Sequence, residues 1–250
     1  MKIAIITGAS SGLGREFVSQ INNHFPGIEE YWVIARRTDR LQKLHVPGIS
    51  LRPISLDLTG NNYVNQLQEL LEQAAPQVDL LINNAGCGYL GDFDQSSPDQ
   101  QMRMPILNIC ALTAVTRTVL PYMPDGSHII NISSIASFVP NTRMTVYSAT
   151  KAYVSFFSRG LHEELRPRGI SVTAVCPGPM DTEFISIGGI KGHSKTFDLL
   201  PYCDPVKVAR GALNAAKKGR AVYTPRFFYK FYRVLSGLIP HAILVHAAKT

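Results

Sequence analysis

From Lys207 to Thr250 the chain has no Asp or Glu, against nine Lys and Arg. Residues 1–206 carry 16 basic and 18 acidic side chains, so the net charge of +7 originates in the C-terminal part. A fold that binds nucleic acid would carry basic clusters of its own, and nucleic acid is therefore excluded as a partner. Cysteine is scarce too: Cys87, Cys110, Cys176 and Cys203 form no Cys-x-x-Cys pair and have no histidines at metal-ligand spacing. That excludes a disulfide framework and a metal site, and leaves four reduced core or pocket thiols. No run reaches the roughly 18 apolar residues of a membrane span. The first strand starts at Lys2, so no signal peptide and a cytoplasmic location are expected. Internal repeats, a low-complexity linker and a Gly-x-Ser-x-Gly elbow are all missing, which removes solenoids, a linker-divided chain and that form of hydrolase chemistry.

What is present is alternation. Apolar runs at 2–6, 31–35, 79–82, 128–133 and 170–176, with weaker ones near 49–55 and 221–223, read as buried parallel strands. Helical periodicity fills 12–23, 61–73, 99–120, 151–166 and 205–217. Such a pattern predicts an α/β fold, a doubly wound parallel sheet with helices on both faces. In such sheets ligands bind beyond the carboxyl ends of the strands, where Gly8, Asn83, Ser134 and Pro177 fall.

Two constellations carry chemistry. Lys2-Ile3-Ala4-Ile5-Ile6 stops at Thr7-Gly8-Ala9-Ser10-Ser11-Gly12-Leu13-Gly14 before a helical pattern. A glycine turn between strand and helix offers free N–H groups and a positive dipole end to a pyrophosphate. The second is Tyr147-Ser148-Ala149-Thr150-Lys151, thirteen residues after Ser134. On a helix, Tyr147 and Lys151 share a face, and the ammonium is expected to lower the phenol pKa, by roughly 1–3 units. With Ser134 holding an oxygen, the trio suits proton exchange with an alcohol or ketone. The offset favours Ser134 over Ser133.

These residues resemble the short-chain dehydrogenase/reductase family over about residues 1–223. The turn Thr7-Gly8-x-x-x-Gly12-x-Gly14 is similar to the family's cofactor turn, Asn83-Asn84-Ala85-Gly86 to its strand-4 motif, and Pro177-Gly178-x-x-x-Thr182 to a later cofactor contact. Asn108 falls at the position of a catalytic asparagine; Ser134, Tyr147 and Lys151 match the catalytic trio. Asp57, with Leu58 beside it, resembles an adenine-contacting aspartate. The resemblance implies strand order 3-2-1-4-5-6-7 in a Rossmann-like domain and hydride transfer between a nicotinamide and a carbonyl carbon. It also implies that Tyr147 moves the proton, that Lys151 holds the ribose, that Asn108 supports a proton relay through a water, and that the protein is a homodimer or homotetramer through the helices at 99–120 and 151–166.

The second strand ends in Arg36-Arg37 where an NAD site usually has Asp or Glu. An arginine fork fits a 2′-phosphate with no carboxylate to repel it, so NADP(H) is the expected cofactor. Tyr89, Leu90, Phe138, Val139, Met144, Phe184, Ile185 and Phe197 stand in the stretches that set specificity in the family, and predict a pocket for a hydrophobic ketone or alcohol such as a hydroxysteroid, bile acid or acyl chain. His162, followed by Glu163-Glu164, is expected on a solvated face. Residues 224–250 form a basic amphipathic segment, with Phe227, Phe231, Val234 and Leu238 on one stripe. Packing on the domain or at an interface is expected for it ahead of a membrane surface. The alternative to an oxidoreductase is a non-catalytic NADPH sensor or scaffold, against which the intact Ser134, Tyr147 and Lys151 argue.

Overall fold

The computed structural model describes residues 1–190, 192 and 199–247; Phe197, expected in the pocket, lies outside them. Strands β1 (Lys2–Thr7), β2 (Glu30–Ala35), β3 (Ser50–Ser55), β4 (Gln77–Asn83), β5 (His128–Ile132), β6 (Ser171–Val175) and β7 (Val222–Tyr223) form one parallel sheet. Its order is 3-2-1-4-5-6-7, as expected. Both faces of β1, β2, β4, β5 and β6 are buried, which is why they read as continuous apolar runs, whereas the edge strands β3 and β7 are mostly half-buried or exposed and give the weaker signals. Ala4, Ile6, Tyr31 and Val33 point to one core, and Ile3, Ile5, Trp32 and Ile34 to the other.

Helices α1 (Gly12–His24) and α8 (Pro205–Lys217) cover the first face, and α3 (Tyr63–Ala74) and α5 (Leu112–Val119) the second. Between them in sequence come α2 (Thr38–Gln42), α4 (Pro98–Pro105), α6 (Thr145–Glu164) and α7 (Glu183–Ile187). The long helix expected over 99–120 is interrupted by a π-helical segment at Ile106–Ala111. By length and composition the stretch Pro98–Tyr122 would also cross a membrane, but Ala111, Val115 and Val119 are buried in the second core. The catalytic-segment helix starts at Thr145, six residues earlier than expected, and so includes Tyr147.

A buried polar ladder ties the sheet to its helices. Asn83 Nδ2 donates to Thr116 Oγ1 at 2.9 Å and to Asn131 Oδ1 at 2.8 Å, and Asn131 Nδ2 donates to Ser158 Oγ at 2.9 Å. His162 corrects its expectation: its Nδ1 meets the β6 backbone, 3.1 Å from the Val172 N–H donor, because a half-buried imidazole needs a partner. Cys110 is likewise exposed rather than in the core or pocket, while Cys176 and Cys203 are buried.

The C-terminal segment forms α9 (Phe227–Leu238) and α10 (His241–Ala247). Helix α9 packs through Tyr229, Tyr232 and Ser236. The Phe227, Phe231, Val234 and Leu238 stripe, expected to pack, faces outward instead: the four are 84%, 58%, 58% and 77% exposed. The inward face is chosen by shape. Fully buried Tyr229 sits against Gly178, where no Cβ would fit, and its hydroxyl donates to the Pro201 carbonyl at 2.8 Å.

Candidate active site

A single cavity of about 740 Å³ runs along the carboxyl ends of the strands. At one end the turn after β1 contributes Gly8, Ser10, Ser11, Gly12 and Leu13. Gly8 and Gly12 have positive φ, +67° and +50°, a region that favours glycine. Gly14 does not line the cavity. A Cβ there would overlap the Gly8 carbonyl, so this glycine lets α1 close onto the turn. The turn is held from β4: Asn84 Nδ2 donates to the Thr7 and Gly8 carbonyls at 3.1 and 3.0 Å. The Thr7 hydroxyl accepts the Asn84 and Ala85 N–H groups, both at 3.1 Å. Asn84, Ala85 and Gly86 line the floor, and Pro177, Gly178 and Thr182 the opposite wall.

Arg36, Arg37, Asp57 and Leu58 line the far end. Burial pushes the Asp57 carboxyl up, but the Thr59 N–H and hydroxyl, with Arg36 and Arg103, hold it below its ordinary value. Arg37 donates to Ser11 Oγ at 3.0 Å. The expectation that no carboxylate stands near this fork is corrected. Glu183, at the start of α7, pairs with Arg37 at 2.9 Å and with Arg40. Hydrogen bonds from Arg40 and then Arg37 hold its carboxyl below the usual range. Neither Glu183 nor Arg40 was singled out from the sequence; the contact spans 143 residues, and only the acid directly after Thr182 hinted at it.

At the other end Ser134, Tyr147 and Lys151 converge. Ser134 follows β5; its Oγ accepts the Ala136 N–H at 3.1 Å, and its hydroxyl favours the charged form of the Tyr147 phenol beside it. Ser133 points away, donating to the Lys151 carbonyl at 2.8 Å. Lys151 Nζ lies 5.7 Å from the centre of the Tyr147 ring and donates to the Ile132 carbonyl at 2.8 Å. The expected drop in the Tyr147 pKa is not found. Burial pushes it up to about 12, against the Ser134 hydroxyl, and burial brings Lys151 down to about 8. Desolvation penalises both charged forms and outweighs a cation at this range.

Asn108 stands behind the wall rather than on it. Its Oδ1 accepts the Cys87 N–H at 2.9 Å, and its Nδ2 donates to the Cys87 carbonyl at 2.9 Å and to Thr150 Oγ1 at 3.0 Å. The side-chain amide is thus committed to holding the loop after β4 against α6. It sits in the π-helical segment, a form frequent at functional sites. Tyr89, Met144, Phe184, Ile185 and Ile190 cluster around Tyr147, and Phe228, Tyr232 and Leu244 from the C-terminal segment also line the cavity.

Glycines that cannot carry a Cβ, a phosphate-ready turn and a Ser–Tyr–Lys trio in one cavity fit a nicotinamide dinucleotide. A family model described as short chain dehydrogenase matches residues 2–186, and the chain belongs to the short-chain dehydrogenase/reductase family of oxidoreductases. An uncharacterized oxidoreductase of Staphylococcus aureus strain N315 is 30% identical over 225 residues, covering 88% of this chain and 93% of that protein. Among solved structures, a short-chain dehydrogenase from Sphingobium yanoikuyae in complex with NADPH is similar at TM-score 0.81 and 30% identity, covering 95% of this chain and 93% of that one. A bulky-bulky ketone specific alcohol dehydrogenase from Comamonas testosteroni is similar at TM-score 0.74 and 28% identity, with the same coverage.

Proposed function

We propose that the protein is an NADP(H)-dependent carbonyl reductase that interconverts a ketone and a secondary alcohol on a bulky, apolar substrate. The observation that carries this reading is the convergence of Ser134, Tyr147 and Lys151 in the cavity that also holds the glycine turn and the Arg36–Arg37 pair. NADP(H), when bound, supplies or accepts the hydride. The phosphate turn and Lys151 hold the dinucleotide, and Ser134 orients the substrate oxygen. In reduction, Tyr147 gives its proton to the carbonyl oxygen, and Ser134 and the Lys151 ammonium stabilise the phenolate left behind. With Tyr147 raised to about 12, the phenol carries that proton at neutral pH. Asn108 serves from behind by fixing Cys87 and Thr150, beside the expected water-borne relay.

Arg36 and Arg37 favour a 2′-phosphate, and the NADPH complex of the Sphingobium relative supports the same choice. Aromatic and aliphatic walls favour an apolar substrate, in keeping with the Comamonas relative's preference for bulky ketones. Exposed Met102, Ile106, Tyr153 and Phe156 on the helices near 99–120 and 151–166 support a homodimer or homotetramer; a cytoplasmic location belongs to the same proposal.

The test is NADPH consumption against oxosteroids, oxo bile acids, 3-oxoacyl thioesters and simple ketones, with Tyr147→Phe as the blank. Turnover confined to the wild type is expected. NADPH binding with no turnover in any well would favour the sensor instead.

A further inference from the structure

Helix α9 is inverted relative to a solvated surface helix. Its buried side carries Tyr229, Arg233 and Ser236, whereas Phe227, Phe231, Val234 and Leu238, all exposed, fall within about 60° of one another on its outer side. Ile243 on α10 continues this exposure. Leaving four such side chains in water forgoes the burial that ordinarily places them inside.

We propose that this face docks the protein on an anionic lipid surface, with the outer edge of α9 inserted below the headgroups. Charge selects that occupant. Arg226 and Lys230 are exposed at the start of α9 and within it, Arg233 being half-buried and donating to Thr224 Oγ1, and no acid follows Asp204. A basic helix with an aromatic apolar edge matches an interfacial amphipathic helix. A second copy of the chain fits poorly, because two α9 helices meeting face to face would bring like charges together with no carboxylate on either to pair them. The apolar residues on α4 and α6 moreover lie on other helices.

The position of the face gives docking a purpose. Phe228 is half-exposed on α9 and also lines the cavity, as do Tyr232 and Leu244. The exposed apolar surface thus continues into the rim of the cavity, and a membrane-dissolved ketone would reach that cavity without crossing water. Delivery rests on the reductase reading; docking does not, and the two fail separately because docking is read without turnover.

The experiment is flotation of the full chain with vesicles of phosphatidylcholine alone and of phosphatidylcholine mixed with phosphatidylglycerol, at low and high salt. Binding is expected to the mixed vesicles, falling as salt rises. Lys230→Glu should lower it roughly fivefold or more. The double variant Phe231→Glu, Leu238→Glu should abolish it while NADPH still binds, which shows that the variant is folded. Absence of wild-type flotation overturns the proposal. So does a double variant that floats like wild type, or a wild type that stays in solution but loses mass by light scattering when the two glutamates are introduced.

Discussion

A phenol and an ammonium withdrawn from water together each lose support for their charged form, and at Tyr147 and Lys151 that loss dominates. Burial lowers the Lys151 pKa from its ordinary 10.5 to about 8, so the amine gives up its charge earlier in pH than a solvated lysine would. Reduction needs that charge, and kcat/KM should fall as pH rises through about 8, read from a pH–rate profile; a flat profile to pH 10 would reject the role of Lys151. Tyr147→Phe should cost roughly 10²–10⁴-fold in kcat with the fold intact. Glu183 makes a different point. It engages the guanidinium that a 2′-phosphate would use, so Glu183→Gln should tighten NADPH binding severalfold and leave NADH unchanged, by fluorescence titration. Equal gains for both cofactors would mean that Glu183 acts on α7 rather than on the phosphate. The trio and the glycine turn were legible because their chemistry lies within short stretches. Glu183 was not, since its partners are far away in sequence. Nor was the raised Tyr147 pKa, because spacing shows a neighbouring charge but not the desolvation that opposes it.

At the scale of elements, the β-branched runs identified the strands because a parallel strand buried on both faces tolerates little else. The interruption at Ile106–Ala111 left no such mark: an apolar stripe reads much the same through an α or π turn. The outward aim of α9 was hidden for a related reason. Periodicity reveals two faces, and only Tyr229 seated over Gly178 decides which one turns inward. The polar ladder below the sheet ties its elements through single hydrogen bonds. Asn131→Ala removes one partner each of Asn83 and Ser158 and should destabilise the fold by about 1–3 kcal/mol, measured as a lower urea midpoint at unchanged slope. An unchanged midpoint would mean that water replaces the lost amide.

For the molecule as a whole, exposed apolar area is concentrated on the α4 and α6 helices and on α9. Phe156, 73% exposed, lies on the first of these surfaces, and Phe156→Glu should shift a dimer or tetramer toward lower mass by light scattering. An unchanged mass would place subunit contact elsewhere. The seat of Tyr229 against Gly178 has a further consequence, for how much of the chain can be dispensed with. Gly178 belongs to the loop after β6 that lines the cavity, and the ring over it is supplied by a residue 51 positions later. A chain trimmed at residue 223 would keep all seven described strands and Ser134, Tyr147 and Lys151 yet uncover that loop. On the proposed reductase reading, a working chain extends past Tyr229, and protease nicking between 223 and 229 should silence NADPH turnover long before the sheet comes apart.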